Sequence, residues 1–203
     1  MTRHRGSMSL IAASAACLAA LALTCASRGY AQSSSATSAA ATAPHFVLSS
    51  PDFTSHGKLH RAQANRRCGG RDISPALAWR DPPMGTKSFV LLMHDPDAPQ
   101  AEGFWHWIVY DIPASVRSLP AGAGDVSKHL MPAGAIQGRS DFGPVGYGGP
   151  CPSPGRAHRY YFRIYALPVA KLNVPPNAAA TVIAASADAT ALGRAQLMAT
   201  YGR

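Results

Sequence analysis

The stretch GYGGPCPSPGRAHRYYFRIYAL, residues 146–167, changes character at its midpoint. Its first ten residues are almost all glycine, proline and small side chains, which neither a helix nor a regular strand favours. The rest reads as one long strand, His158–Leu167, in which His158, Tyr160, Phe162 and Ile164 share a face. The pattern therefore predicts a stiff loop placed directly against a strand that carries a histidine and a tyrosine.

Apolar runs bounded by proline and glycine recur along the chain, and they predict further strands at Phe46–Leu48, Ala76–Trp79, Ser88–His94 and Trp105–Ile112. The run Ser88–His94 (SFVLLMH) is continuous rather than alternating, which is typical of a strand buried on both faces. Helical spacing occurs only late, over Ala178–Met198. The chain is thus predicted to be mainly β, a sandwich or open barrel with few helices, one of them near the C-terminus.

The first 31 residues have the layout of a secretory signal peptide. Arg3 and Arg5 precede the uncharged run Leu10–Leu23, and Gly29-Tyr30-Ala31 offers small residues at both positions that determine cleavage. The apolar run is shorter than the roughly 20 residues that a membrane-spanning helix needs. Export to the periplasm or to the medium is therefore expected, without a transmembrane segment after cleavage.

Alternatives for this segment are a buried helix, or a lipoprotein anchor at Cys17 or Cys25. Residues 32–43 are a Ser/Ala/Thr tract with no pattern that could bury a face, so a disordered leader is expected there. The predicted organisation is a signal peptide over residues 1–31, the leader over 32–43, and one folded domain over 44–203.

Past residue 31 the chain keeps 16 lysines and arginines against 10 acids, a formal charge of about +6. The arginines are scattered and form no run or helical stripe, which argues against a nucleic-acid groove and for a basic surface suited to anionic partners. Cys68 and Cys151 remain as an even pair, which in an oxidising compartment indicates a disulfide. Their spacing does not match a structural zinc site.

Two motifs at strand ends carry candidate functional side chains. In VLLMHDPDAP, residues 90–99, prolines stop a buried strand and hold Asp95 at its end. Asp97 is expected to be a local turn cap. His106 follows eleven residues after Asp95, so a hairpin return could place the carboxylate beside the imidazole and orient it.

The loop 146–155 can present backbone N–H groups to an anion at close range, since such amides form anion-binding concavities. His158 and Tyr160 would add side-chain donors at the same mouth. The composite site, which suits a phosphate or other small oxyanion with room for an amine near the carboxylate, consists of Asp95, His106, Gly149, His158 and Tyr160.

DPDAP at 95–99, HW at 106–107, GP at 149–150 and HRYYFRIYAL at 158–167 together resemble the phosphatidylethanolamine-binding protein (PEBP) family. The bacterial branch, often called Raf-kinase-inhibitor-like, is the most similar, and DISPALAW from Asp72 and AIQGRSDFG from Ala135 also fit it. The resemblance extends over roughly residues 46–203.

The resemblance implies a PEBP-like β-sandwich with an anion pocket at one edge, no metal and no cofactor. The family's ligands are phosphate, phosphoryl head groups or acetate-like anions. Carried over by motif position, the ligand-binding residues are Asp95, His106, Gly149, Pro150, His158 and Tyr160, with Pro99 and Trp105 lining the entrance. Phe104 stands where bacterial members often have tryptophan.

The leading hypothesis is a non-enzymatic binder of small anions or phospholipid head groups that can modulate a partner protein. A hydrolase using Cys151 with His158, or Asp95 with His106, is the alternative. A metal site built from His106, His158 and Asp95 is a third interpretation, because those side chains are suitable ligands.

Overall fold

The structure, a computed structural model, describes residues 45–203, so the predicted signal peptide (1–31) and leader (32–43) lie outside the described residues. Within that range the strands are β1 Val47–Ser49, β2 Gly57–Lys58, β3 Leu77–Arg80, β4 Ser88–Asp95, β5 Phe104–Pro113, β6 Ser118–Leu119, β7 Ile136–Gln137, β8 His158–Leu167 and β9 Gly193–Tyr201. The α-helix of this part of the chain is α1, Ala180–Thr190, and short 3₁₀ turns lie at Arg61–Gln63, Arg66–Cys68 and Val126–Lys128.

The strands form two sheets. The smaller has the order β1-β3-β6 and is antiparallel, and the larger has the order β2-β9-β8-β4-β5-β7. Neighbours in the larger sheet are antiparallel except β2 and β9, which run parallel. This arrangement confirms the prediction of a mainly β sandwich with a helix near the C-terminus.

The main core lies between the two sheets. Leu48 and Trp79 of the small sheet pack with Phe89, Phe162 and other buried side chains of the large one. Trp79 and Phe89 meet edge to face with ring centroids 5.5 Å apart, a favoured aromatic geometry. Removal of this apolar surface from water is the main force that holds the sheets together.

β4 is buried on both sides, as its continuous apolar run predicts. Phe89, Leu91 and Met93 enter the core between the sheets, whereas Val90 and Leu92 face a second apolar cluster. That cluster includes Ile183 and Ala187 of α1. The helix therefore covers the outer face of the large sheet and makes a third layer.

The prediction of helix over Ala178–Met198 is wrong in its second half. The helix ends at Thr190, and Gly193–Tyr201 is the strand β9. Ala195, Leu197 and Ala199 are buried while Arg194 and Gln196 are exposed, which is the two-residue period of a strand. A full-length antiparallel partner, β8, supplies the backbone hydrogen bonds that outweigh the helical preference of the alanines.

Among residues 45–203, no helix has the length and apolar character needed to cross a bilayer.

Candidate functional site

The ends of three adjacent strands meet at one end of the large sheet. β4 finishes at Asp95, and the antiparallel strands β5 and β8 begin there, with Asp95 opposite Phe104 and His94 opposite Tyr161. A pocket of about 410 Å³ opens at this point, within the usual size range of small-molecule sites. Its lining residues are Asp95, Asp97, Ala98, Pro99, Gln100, Phe104, His106, Phe142, Cys151, Pro152, Ser153, His158 and Tyr160.

Asp95 forms an ion-pair-type contact with a histidine in this pocket, but the partner is not the predicted one. Its Oδ2 lies 2.8 Å from Nδ1 of His158, and its Oδ1 accepts a hydrogen bond of 2.9 Å from the backbone N–H of Asp97. The carboxylate therefore caps its own turn and places the proton of His158 on Nδ1. Two expectations are therefore wrong. Asp95 pairs with His158 and not with His106, and the residue that caps the turn is Asp95 and not Asp97.

His106 is held by the glycine loop. Its Nδ1 donates to the carbonyl of Gly148 over 2.7 Å, and the N–H of Gly148 donates to the backbone carbonyl of His106 over 2.9 Å. Burial is the main cause that lowers the pKa of His106 to about 4, because a charged imidazole loses its hydration there. At neutral pH His106 is therefore uncharged, and its Nε2 is a hydrogen-bond acceptor.

Aromatic rings enclose His106 on the pocket side. The rings of Phe104, Phe142 and Tyr160 have centroids 4.9, 5.5 and 5.2 Å from the imidazole centroid. These rings exclude water from the imidazole, which accounts for its low pKa, and they give the pocket an apolar wall beside its polar groups.

Tyr160 contributes a hydroxyl that has no hydrogen-bond partner among the described residues although it is fully buried. Burial raises the pKa of Tyr160, followed by the charge of Asp95 and a hydrogen-bond interaction with that carboxylate, so the hydroxyl keeps its proton and lies close to Asp95 although no hydrogen bond meets the usual geometric limits. A buried donor without a partner costs about 1–3 kcal/mol. The hydroxyl oxygen is closed off from solvent although its side chain lines the pocket, so a bound acceptor would remove that cost once neighbouring side chains shift to admit it.

Asp97 lies at the rim in a cluster of charges. The Arg159 guanidinium donates two hydrogen bonds of 2.9 and 2.7 Å to the carboxylate, and the Arg156 guanidinium lies 3.1 Å from it. The side-chain hydrogen bonds from Arg159 are the largest cause that holds the pKa of Asp97 far below its usual range. The rim is thus not acidic, since two guanidinium groups accompany one carboxylate.

Gly149 and Pro150 form the back of the loop and do not line the pocket. The N–H of Gly149 donates to Asp72 Oδ1 over 2.8 Å, and the carbonyl of Pro150 accepts from the N–H of Asn65. The predicted cradle of loop amides is therefore absent at Gly148 and Gly149, whose N–H groups are already used. A Cβ at Gly149 would overlap the backbone of Gln63 and Ala64, so glycine is required there for close approach.

The predicted disulfide is present between Cys68 and Cys151, with Cα atoms 5.6 Å apart. Cys151 lines the pocket, so the bridge fixes one wall covalently to the loop that carries Cys68. A disulfide sulfur has no thiolate to attack a substrate. The alternative of a Cys151 nucleophile paired with His158 is therefore excluded in the oxidised protein.

Trp105 faces away from the pocket, because successive residues of a strand point to opposite faces and Phe104 and His106 take the inner one. Its ring stacks on His94 with centroids 4.2 Å apart. Phe104 and Pro99 line the pocket instead. Phe142, Pro152 and Ser153 also line it and were not predicted, since they lie in loops that lack a periodic pattern.

The metal-site interpretation of His106, His158 and Asp95 has no support in the geometry. Within residues 45–203, no group of three or more His, Cys, Asp or Glu side chains is placed to hold a metal ion.

Comparison with known proteins places this architecture in a family. The model of the phosphatidylethanolamine-binding protein family matches residues 49–202. A UPF0098 protein of Aquifex aeolicus is 47% identical over 137 residues, which cover 67% of this chain and 78% of that protein. The UPF0098 protein YbcL of Escherichia coli is 42% identical over 135 residues, or 66% of this chain and 74% of the relative.

Solved structures agree. The crystal structure of Escherichia coli YbcL, described as a new member of the mammalian PEBP family, aligns with a TM-score of 0.75 at 37% identity and covers 78% of this chain and 98% of that one. The PEBP homologue CT736 of Chlamydia trachomatis aligns with a TM-score of 0.66 at 33% identity, over 79% and 99% of the two chains. This chain therefore belongs to the phosphatidylethanolamine-binding protein family.

Proposed function

We propose that the protein is a non-enzymatic binder of small phosphoryl anions, free or as phospholipid head groups. The observation that carries the proposal is a pocket lined by two imidazoles, His106 and His158, beside the buried Tyr160 hydroxyl. Each imidazole uses Nδ1 within the protein and has no hydrogen bond at Nε2 among the described residues. Three polar atoms are therefore left for a ligand.

These three atoms suit a singly protonated phosphoryl group. Tyr160 donates to one phosphoryl oxygen, and His158, when protonated, donates to another with Asp95 as its counterion. Neutral His106 has an acceptor at Nε2, so it takes a hydrogen bond from the P–OH of inorganic phosphate or of a monoester, whereas the phosphodiester of a phospholipid has no such group and binds through the other two atoms. A dianion would instead require His106 to become charged in its buried position.

The pH dependence follows from this chemistry. The second pKa of a phosphate monoester is about 6, so the monoanion is lost above that pH. A dianion can bind only with a proton on His106, whose pKa starts at about 4 in the free protein and rises in the complex. By either route the affinity for inorganic phosphate or a monoester falls as the pH rises through the second pKa of that ligand.

A head-group amine gains little in this pocket. Asp95 is paired with His158, and Asp97 with two arginines, so neither carboxylate is free for an ammonium group. We expect inorganic phosphate and phosphoethanolamine to bind with similar affinity, whereas ethanolamine alone does not bind.

The test is calorimetric titration of phosphate and phosphoethanolamine into wild-type protein, Tyr160→Phe and Tyr161→Phe. Tyr161 is the neighbour on the opposite face of β8, so it is the matched control. Loss of a hydrogen bond to a charged ligand costs about 1.5–3 kcal/mol, a roughly 10- to 150-fold weaker affinity for Tyr160→Phe. Equal affinities of the two variants, or no binding to wild type, would contradict the proposal.

The proposal of binding without catalysis is supported by the surroundings of the two candidate nucleophiles, Cys151 and Ser153. Cys151 is in the disulfide, and no hydrogen bond joins the pocket residue Ser153 to His158 in the described structure. A nucleophilic hydroxyl normally has a base within hydrogen-bond reach. Release of phosphate from phosphoethanolamine or p-nitrophenyl phosphate, lost in His158→Ala, would overturn this part.

We also propose export to the periplasm or the medium, and the disulfide is compatible with an oxidising compartment. Mass spectrometry of protein from an envelope fraction should find an N-terminus at Gln32, following cleavage after Ala31. An intact Met1 in that fraction would contradict it. Modulation of a partner protein stays a prediction.

A further inference from the structure

An exposed apolar patch lies on the segment between β6 and the pocket loop. It consists of Val126, Leu130, Ile136 and Val145, which are 49%, 42%, 44% and 41% exposed. All four line one shallow groove, and they are half of the eight large apolar side chains exposed in residues 45–203. Single exposed apolar residues are ordinary, but a contiguous group marks an interaction surface.

Basic side chains border this apolar patch. Arg66, Arg67 and Arg139 are exposed and adjoin it in space, and the exposed Lys128 lies between Val126 and Leu130 in sequence. Arg66 and Arg67 line a neighbouring pocket of about 320 Å³ together with Val126 and Val145. Arg139 pairs with Val145 across an isolated β-bridge, so its backbone lies next to the patch.

The acids of the same region are engaged locally. Asp125 accepts hydrogen bonds from the N–H and hydroxyl of Ser127. Asp72 accepts from the N–H groups of Gly149 and Arg66 and lies 3.9 Å from the Arg66 guanidinium. Four cationic side chains thus face two carboxylates, and the border of the patch is net positive.

The apolar patch is continuous with the mouth of the candidate site. Phe142 lines both the ligand pocket and the neighbouring pocket of the arginines, and Val126 and Val145 connect that pocket with the groove of the patch. The patch and the pocket are therefore linked through adjoining cavities that share these side chains.

We propose that this strip docks on the surface of an anionic phospholipid membrane and so brings head groups to the pocket; the proposal rests on the function proposed above. A bilayer interface combines an anionic plane, which attracts the four basic side chains, with an apolar layer just beneath it, which accepts the four aliphatic ones. A nucleic acid would use the charges but leave the aliphatic groups in water. A second copy docked on the same face would bring like charges together.

The test is co-sedimentation with phosphatidylcholine vesicles, with or without one lipid in three replaced by phosphatidylglycerol. The protein is taken from the soluble fraction with its N-terminus determined, because an uncleaved apolar run at residues 10–23 would itself enter lipid. Wild type should bind only the anionic vesicles, and high salt should release it.

Two double variants address the two parts of the surface. Arg66→Gln with Arg67→Gln should weaken vesicle binding roughly 30-fold, since each basic residue near the membrane contributes about fivefold. Val126→Ser with Ile136→Ser should weaken it about tenfold through lost apolar insertion. The controls are Arg80→Gln with Arg194→Gln, and Val182→Ser with Leu192→Ser, which remove exposed residues of the same types elsewhere and should change binding less than twofold.

The outcomes separate docking from head-group binding. The docking variants should keep wild-type affinity for soluble phosphate, whereas Tyr160→Phe should keep vesicle docking and lose that affinity. Vesicle binding by the docking variants equal to that of their controls would overturn the membrane surface and leave the pocket untouched. A concentration-dependent dimer that Ile136→Ser abolishes would assign the patch to a second copy and overturn the proposal as well.

Discussion

The two faces of the large sheet at its pocket end carry similar side chains with different surroundings. The inner face has His106 and Tyr160, and the outer face has His94 and Trp105. Each face also has buried polar atoms without a partner in the described structure, the Tyr160 hydroxyl inside and His94 Nδ1 and Trp105 Nε1 outside.

The surroundings decide which of these atoms can meet an anion. On the outer face the imidazole and indole stack on each other, and His94 Nε2 is bonded to the carbonyl of Glu102. The acids Glu102 and Asp141 line the same surface cavity as Trp105, and the Asp141 carboxylate accepts from the backbone N–H of Trp105. Inside, every carboxylate of the pocket is already paired with a histidine or an arginine. A histidine beside an aromatic ring is thus no indicator of a ligand site by itself; the charges around it are.

The largest expected effect concerns the covalent wall of the inner face. Replacing both Cys68 and Cys151 by serine removes a bridge between residues 83 apart in sequence. The chain-entropy model gives a loss of about 4.5 kcal/mol in the free energy of unfolding for such a loop. Urea unfolding of the variant beside oxidised wild type measures it, and coincident midpoints would contradict the expectation.

Lowering the pH should destabilise the folded protein through His106 on the inner face. Its pKa falls from the ordinary 6.5 to about 4 on folding, so between these pH values the unfolded chain binds a proton that the folded one does not. The free energy of unfolding should therefore fall by about 3 kcal/mol as the pH drops from 6.5 to 4. His106→Asn, unfolded by urea in anion-poor buffer at both pH values, should remove this dependence.

His94→Asn provides the outer-face comparison. Burial also lowers the pKa of His94, but that side chain keeps more exposure than His106. Its replacement should remove a smaller part of the pH dependence. A larger effect at His94 than at His106 would reverse the assignment of the more strongly buried imidazole.

Tyr160 and Tyr161 test whether the orphaned hydroxyl is kept for binding. Tyr160→Phe removes a buried group without a partner, so the ligand-free protein should gain about 1–2 kcal/mol in the free energy of unfolding. Tyr161→Phe should change it little. Thermal unfolding without and with phosphate should show the Tyr160 variant more stable than wild type in the first case and stabilised less by ligand in the second.

Failure of that pattern is informative. A Tyr160→Phe variant that is less stable without ligand would show that the hydroxyl has an internal role.

The smallest effect is expected at the rim. Arg159→Gln weakens the ion pair that lowers the pKa of Asp97, but the guanidinium is half exposed, so only a small fall in the urea midpoint is expected. The difference from wild type should be present above about pH 4 and vanish as the pH falls through the lowered pKa of Asp97. A difference that persisted below this range would mean that Arg159 acts through packing instead.

The sequence predicted the strands well because proline and glycine mark their ends and alternation marks their faces. Asp95, His106, His158 and Tyr160 could be placed at one mouth for this reason. The same alternation places Trp105 on the face opposite His106, in conflict with the pocket position that the family resemblance implies for it.

Other features depend on tertiary contacts that no local pattern encodes. Phe142 and Asp72 lie in loops, and only the folded chain brings one into the pocket wall and the other to the N–H of Gly149. The alanines of β9 suit a helix, and only the presence of β8 beside them makes a strand. Strand adjacency does not decide the partner of Asp95, since β5 and β8 both neighbour β4; His106 Nδ1 is taken by the carbonyl of Gly148, which leaves His158 for the carboxylate.

The contacts that build the pocket join residues far apart in sequence: 42 residues separate His106 and Gly148, 63 separate Asp95 and His158, and 77 separate Asp72 and Gly149. Contacts of such separation form only after large loops have closed, which makes them slow and late in folding. The pocket therefore has no local nucleus and completes together with the sandwich. A bound anion should accordingly slow unfolding much more than it speeds refolding.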